Sequence, residues 1–180
     1  MLDLLSTERK TLLQLARDSI KHYLETGDRL EANVRQESLT QKCGCFVTLR
    51  KNALLRGCVG TFSADQPLFQ NVLRMSIAAA VQDTRFPPVS KPEVTELKIE
   101  ISVIGETFPM TSPDEIEIGK HGVLVEHGNR SGTFLPDVAV EQNWNAQEFI
   151  LWCAREKAGL KPAEIANARV SLYEVIKFSE

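Results

Sequence analysis

The sequence predicts an α+β fold with a mainly antiparallel sheet, built from hairpins and packed helices. One observation is a long segment near the N-terminus whose apolar residues repeat at helical spacing. Another is the presence of strand-forming segments paired across short turns. A third is the irregular order of helices and strands, which does not fit the strict alternation of a doubly wound parallel fold. No repeat or linker divides the 180 residues, so we expect a single domain.

Apolar spacing and capping residues predict four helices. The first begins at Ser6 or Thr7, continues to about Glu25 and stops at Gly27. The second follows Asp65 and is predicted over 66–82. The other two are predicted over 136–142, beginning at a proline, and over 145–159, beginning at an asparagine cap and ending at a glycine.

Strand-forming residues predict six strands. Segments 45–49 and 54–62 flank a turn at 51–53 and form a hairpin, and segments 123–125 and 133–135 form another. Apolar and polar residues alternate most regularly over 97–103, as in a half-buried strand. A last strand is predicted over 170–178, and residues 28–42 are predicted to be a loop or a short extended segment.

Composition argues against several classes of function. Hydrophobic residues make up 43% and charged residues 25%, as in an ordinary soluble globular protein. The net charge is −3 and the pI is about 5.7, with no long run of Lys and Arg, which argues against a nucleic-acid partner. The N-terminal residues lack the pattern of a secretory signal, and no apolar stretch approaches roughly 18 residues. We therefore expect a cytoplasmic protein without a membrane partner.

The four cysteines do not form a recognised metal or redox pattern. Cys43 and Cys45 are separated by one residue, which is not C-x-x-C spacing, and Cys58 and Cys153 lie far from them. We expect reduced, mostly buried thiols. A four-cysteine metal site remains as an alternative, although its ligands would have to converge from three distant segments. No pair of histidines has metal-ligand spacing, and we predict neither a metal nor a cofactor.

Residues 55–60 carry the strongest candidate chemistry. Because side chains alternate along a strand, Arg56 and Cys58 are predicted to share one face. A guanidinium beside a thiol favours the reactive thiolate, so both residues are candidate catalytic groups. Gly57 and Gly60 indicate a bulge or a close approach of another backbone. In the alternative interpretation Cys58 is a small packing residue and the glycines only shape the hairpin, while Arg56 pairs with Asp83 or Glu100.

Other polar residues are candidates to complete the site. His121, flanked by Lys120 and Gly122, is a candidate general base if the fold brings it near the hairpin, and a structural loop residue otherwise. The predicted ligand-binding residues are Gly57, Gly60, Thr61, Asp83, Arg85 and Glu141.

The segment Leu-Arg-Gly-Cys-Val-Gly-Thr-Phe at 55–62 resembles the signature of the AMMECR family. Further segments match this family in order and extend the resemblance over roughly residues 40–180. They include Gly44–Leu49, Asp83–Pro88, Ile99–Val103, Gly119–Gly122, Leu135–Pro136, Val138–Ala139, Glu141, Trp144 and Lys157–Gly159.

The resemblance implies an α+β fold with two unequal lobes and a cleft between them. It also implies that the chain is similar to the A component of the AmmeMemoRadiSam system, whose expected partners are a Memo-type protein and a radical S-adenosylmethionine (SAM) enzyme. It supplies no reaction. Two classes of function therefore stay open, with a nucleic-acid-associated regulatory factor as a distant third. One is an enzyme or enzyme subunit acting on an unidentified small molecule through Cys58, with Arg56 holding an anionic group. The other is a binding or adaptor module whose cleft receives a ligand or a partner segment.

Overall fold

The computed structural model describes residues 3–180 and confirms the α+β prediction. The chain forms two compact units of unequal size. One contains the residues up to Ile104 together with Ile176–Glu180, and the other contains Gly105–Val175. None of the described helices is both long enough and apolar enough to cross a membrane.

The first unit packs helices on one face of an antiparallel sheet. Its helices are α1 (Ser6–Thr26), α2 (Glu37–Thr40) and α3 (Leu68–Val81). Its strands are β1 (Cys45–Lys51), β2 (Leu54–Thr61) and the first part of β3 (Leu97–Pro109). They pair in the order β2-β1-β3, so that β2 lies at an edge. Five residues of 3₁₀ helix, Pro92–Glu96, lead into β3.

Alternating apolar residues of the two central strands build the core of this unit. Val47 and Leu49 on β1 and Ile99 and Ile101 on β3 are fully buried, as the period-two pattern predicts. They lie opposite each other in register, since Val47 pairs with Ile101 and Leu49 pairs with Ile99. Helix α3 covers this face and is itself covered by α1. The helices therefore occupy one face of the sheet, and Phe46, Thr48 and Cys58 lie on its other face.

The second unit contains the other hairpin and the C-terminal helices. Its strands pair in the order β6-β4-β5, with β4 at Gly122–His127, β5 at Arg130–Phe134 and β6 at Arg169–Ser179, whose last residues belong to the first unit. Its helices are α4 (Pro136–Gln142), α5 (Ala146–Trp152) and α6 (Pro162–Ile165). Phe149, Val123 and Leu172 lie at the centre of its separate hydrophobic core.

The sequence placed most elements within a few residues, and the differences have local causes. The helix predicted over 145–159 begins after Asn145, whose side chain caps it, but widens into a π turn over Cys153–Lys157. This turn packs closely against β5, where a Cβ at Gly132 would lie 2.3 Å from the Ala158 nitrogen. The segment predicted as a loop over 28–42 contains the four-residue helix α2. Helix α3 starts two residues later than predicted.

Candidate functional site

A bulge in β2 determines where the side chains of the Arg-Gly-Cys segment point. Leu49 on β1 pairs with Gly57, whereas the next residue, Arg50, pairs with Leu55. Arg56 is therefore an extra residue without a partner across the strand pair. The strict alternation assumed for Arg56 and Cys58 is broken at this point, which sequence pattern alone did not reveal.

The guanidinium of Arg56 forms a two-pronged ion pair with Glu93. Its Nε lies 2.7 Å from Glu93 Oε1 and its Nη2 lies 3.1 Å from Oε2. Both side chains are 14% exposed, and Lys51 Nζ lies 3.6 Å from the same carboxylate. The hydrogen bonds from Arg56 lower the pKa of Glu93, and the charge of Lys51 acts in the same direction. The alternative in which Arg56 pairs with Asp83 or Glu100 is corrected, because the 3₁₀ turn before β3 brings Glu93 to it instead.

Asp83 and Arg85 close around the main chain of Cys58. Asp83 Oδ2 accepts a hydrogen bond from the Cys58 N–H at 2.8 Å, and Arg85 Nη2 donates to the Cys58 carbonyl at 3.2 Å. The two side chains also bind each other at 2.7 Å. We call this pair of side chains, Asp83 and Arg85, the clasp. Since β2 is an edge strand, the clasp satisfies the Cys58 N–H and carbonyl, which would otherwise be free to pair with another strand. The sequence thus named three residues that the structure brings together.

The electrostatics of the clasp are dominated by the Asp83–Arg85 pair. Hydrogen bonding to Arg85 lowers the pKa of Asp83 to about 2, and the Cys58 N–H contributes in the same direction. The Asp83 side chain is only 7% exposed, whereas that of Arg85 is half exposed. Asp83 is therefore held as a carboxylate at every physiological pH.

The thiol of Cys58 is half-buried and remains protonated at neutral pH. Burial raises its pKa above the ordinary value, and this effect exceeds the opposing influence of Thr48 and Arg85. Thr48 lies directly opposite on β1, and its hydroxyl donates a hydrogen bond to the sulfur at 3.2 Å. The cation that acts on this thiol is Arg85, not Arg56 as expected.

The glycines of this segment permit close packing on both faces of β2. A Cβ on Gly57 would lie 2.1 Å from the carbonyl oxygen of Ala79 in α3. A Cβ on Gly60 would lie 2.2 Å from the ring of Phe46, which covers it. Both positions therefore exclude any side chain. Thr61 is half-buried, and its hydroxyl accepts a hydrogen bond from the backbone N–H two residues later.

His121 and Glu141, the other candidates from the sequence, lie in the second unit. His121 is buried, its Nδ1 accepts a hydrogen bond from the Glu117 N–H at 3.1 Å, and its ring meets the Phe108 ring edge-on. Because Nδ1 is an acceptor, the remaining proton of the neutral ring is on Nε2. Glu141 is exposed and has no hydrogen bond or ion pair with any described residue. The contacts found for His121, which include Glu174 Oε1 at 3.9 Å from Nε2, are all within this unit.

The remaining cysteines are not activated. Burial raises the pKa of Cys43 to about 11 and that of Cys153 to about 12, and Cys45 is shifted upward as well. All four thiols are free. Among residues 3–180, no group of three or more His, Cys, Asp or Glu side chains is arranged to hold a metal ion.

Two residues important to the site escaped the sequence analysis. Thr48 is the register partner of Cys58, and a hairpin with its turn at 52–53 would have indicated it. Glu93 had no local signal, because its pairing depends on how the 3₁₀ turn folds back toward β2.

Comparisons with known proteins agree with this fold. The AMMECR1 family model matches residues 13–178. A protein of Methanopyrus kandleri is 42% identical over 164 residues, which cover 86% of this chain and 79% of that protein. A protein of Pyrococcus furiosus is 39% identical over 166 residues, covering 84% and 77% respectively. The crystal structure of an uncharacterized protein from Pyrococcus horikoshii superimposes with a TM-score of 0.86 at 34% identity, covering 94% of this chain and 90% of that one. The chain belongs to the AMMECR1 family.

Proposed function

We propose that this protein is a binding component of a multiprotein enzyme system, which presents the Cys58 strand to a ligand or to a segment of a partner. The observation that carries the proposal is the ion pair between Arg56 and Glu93. A guanidinium bound at two points to a carboxylate is already neutralised. It is therefore poorly placed either to hold a substrate anion or to convert the thiol into a thiolate.

The state of Cys58 supports a binding role over nucleophilic catalysis. A cysteine nucleophile acts as the thiolate, and enzymes that use one depress its pKa. Here burial raises the pKa of Cys58. At the same time, the hydrogen bonds from Asp83 and Arg85 hold the main chain of Cys58 in one position. A rigid strand with a small, half-buried thiol offers a pre-organised surface, which reduces the entropic cost of binding.

We propose a Memo-type protein and a radical SAM enzyme as the partners, as the family resemblance implies. The Memo-type protein is the one to test first, by co-expression with the tagged chain and recovery of the complex. If Cys58 only packs and contributes a contact surface, the complex survives Cys58→Ala. Loss of the complex in this variant, with unchanged thermal unfolding, would point to a chemical role for the thiol instead.

Added bulk at Cys58 tests the same surface without changing the sequence. We expect wild-type protein alkylated with iodoacetamide at high pH to lose the partner, because the adduct occupies the contact surface. Cys58→Ala protein treated in the same way is the matched control, since its other cysteines receive the same treatment, and it should keep the partner. Equal binding by both treated proteins would place the interface elsewhere on the chain.

A second candidate function is a small-molecule enzyme, or an enzyme subunit, with Cys58 as nucleophile. Arg85 is the observation in its favour, because its guanidinium donates to the Cys58 carbonyl and lowers the pKa of the thiol. Ligand binding that removed Asp83 from Arg85 would leave this cation free to stabilise a thiolate. The arginine relevant to catalysis would then be Arg85.

The pH dependence of alkylation separates the two functions. Peptide mass spectrometry would give the alkylation rate of each cysteine in wild type, Arg56→Gln and Arg85→Gln, with the unfolded protein as the reference. We expect Cys58 to react only above the pH at which ordinary thiols ionise, to be insensitive to Arg56→Gln and to react more slowly in Arg85→Gln. Selective reaction of Cys58 below pH 7 would overturn the binding proposal and favour the enzyme.

A further inference from the structure

A groove in the first unit lies between α1, α3 and the segment 29–32, on a different part of α3 from the residue that meets Gly57. Its volume is about 410 Å³, which is within the range of small-molecule sites. Its walls are mainly apolar and are formed by Leu30, Ala32, Phe69, Leu73 and Ile77. The polar residues at this groove are Arg29, Glu31, Gln70 and Arg74, together with Ser19, whose hydroxyl donates to the Leu73 carbonyl.

The arginines of this groove form no ion pair with any described residue, although Arg74 interacts electrostatically with Asp65. Arg74 is half-buried on α3 and Arg29 is exposed on the facing segment. Within the described chain, neither guanidinium forms a hydrogen bond or an ion pair, including with Glu31. A partly buried guanidinium loses hydration and gains nothing in return unless an acceptor reaches it. Two positive charges against one carboxylate give the groove an excess of positive charge.

We propose that this groove binds a small organic anion with an apolar body, of the class of medium-chain carboxylates. The apolar walls supply the hydrophobic contact for a chain of six to eight carbons, whose burial favours binding. A carboxylate matches the planar fork of Arg74 and can accept two parallel hydrogen bonds from it. Arg29 closes over the same group from the segment 29–32. This site is separate from the Cys58 strand and does not depend on the function proposed there.

Octanoate is the probe, because it combines the proposed head group with an apolar chain short enough for the groove. Titration of the ¹⁵N-labelled full chain should shift the amide resonances of 29–32 and 69–77 in a saturable way. We expect Arg74→Gln to weaken octanoate binding about tenfold and Arg29→Gln to weaken it less, since Arg29 is more exposed. Arg74→Lys keeps the charge without the fork and should recover part of the loss.

Two controls isolate the charge and the location. Arg35→Gln removes an exposed arginine of the same loop outside the groove, and it should leave octanoate binding unchanged. 1-Octanol carries the same chain without the charge and should bind wild type at least tenfold more weakly than octanoate. The proposal is overturned if the two ligands bind equally, if Arg74→Gln leaves octanoate binding unchanged while the protein remains folded by circular dichroism, or if no saturable shift occurs in these segments.

Discussion

Two arginines lie at the Cys58 strand, Arg56 on the strand itself and Arg85 bound to its main chain, and two more line the groove between α1 and α3. The two pairs of arginines are in opposite states. Arg56 binds Glu93 and Arg85 binds Asp83, so the charges of the strand are neutralised within the fold. Arg29 and Arg74 at the groove have no such partner among the described residues. The difference separates arginines that stabilise the structure from arginines that remain available to a ligand. Arg56, the arginine of the family signature, belongs to the arginines that stabilise the structure.

The two regions should therefore respond differently to substitution. Removing one member of a shielded ion pair leaves the other charged and desolvated, which costs stability. Removing an unpaired guanidinium costs little, and can even help, because no partner is abandoned. Stability measurements test this difference at the ion pairs, and octanoate binding tests it at the groove.

Gly57→Ala should reduce the free energy of unfolding more than any other substitution proposed here, because at Gly57 the strand packs directly against the main chain of α3. The added methyl would lie 2.1 Å from the Ala79 carbonyl oxygen, so strand and helix must separate. We expect a loss of about 3 kcal/mol or more in the free energy of unfolding, or failure to fold. Urea unfolding followed by circular dichroism measures it.

Gly128→Ala is the matched control for this substitution. Gly128 has a φ of 61°, but an added methyl group would meet nothing within 4 Å. The control therefore introduces backbone strain without a clash, and we expect it to lower the free energy of unfolding by about 1 kcal/mol. Equal losses of unfolding free energy in the two variants would mean that α3 can move away from the strand to accommodate the methyl group. The packing at Gly57 would then be less tight than its contacts indicate.

The sequence predicted the elements better than the site because the elements depend on local patterns. Period-two alternation identified β3, and the caps at Asn145 and Gly27 located two helix ends. The bulge at Arg56 could not be predicted, since it depends on the register between two strands. The sequence predicts Asp83 and Arg85 as site residues, but their role in holding the main chain of an edge strand depends on tertiary structure.

Arg56→Gln tests the comparison directly when it is paired with Arg74→Gln. The first variant leaves the Glu93 carboxylate, which is 14% exposed, with Lys51 at 3.6 Å and the Ser90 N–H as its remaining polar contacts among the described residues. We expect it to lose about 2–3 kcal/mol of unfolding free energy. The second variant removes a guanidinium that pairs with no described residue, and we expect a change within about 0.5 kcal/mol. Similar losses in both would show that Arg74 is also structural and would weaken the case for a ligand at the groove.

Asp83→Asn should lower the free energy of unfolding by about 2 kcal/mol at neutral pH, because it removes the ion pair with Arg85. The pKa of Asp83 in the fold, about 2, is below the ordinary value of 3.8. Its carboxylate therefore stabilises the fold fully above about pH 4, and this contribution is lost as the pH falls toward 2. The unfolding free energies of wild type and variant should converge over that interval. A constant difference between them down to pH 2 would contradict the assigned role.

Ala53→Gly should have the smallest effect and the opposite sign, because the strain in this hairpin is confined to its turn. Ala53 is exposed with a φ of 65°, a conformation in which glycine is favoured, and it follows Asn52 at 51°. Glycine relieves the strain but gains entropy in the unfolded chain, so we expect a net stabilisation of about 0.5 kcal/mol. Ala166→Gly, at an exposed alanine with a φ of −61°, is the control and should destabilise slightly. If Ala53→Gly destabilised as much as the control, strain at the turn would not offset the entropy cost of glycine. The backbone of the hairpin would then be as free of strain at its turn as it is at Gly57.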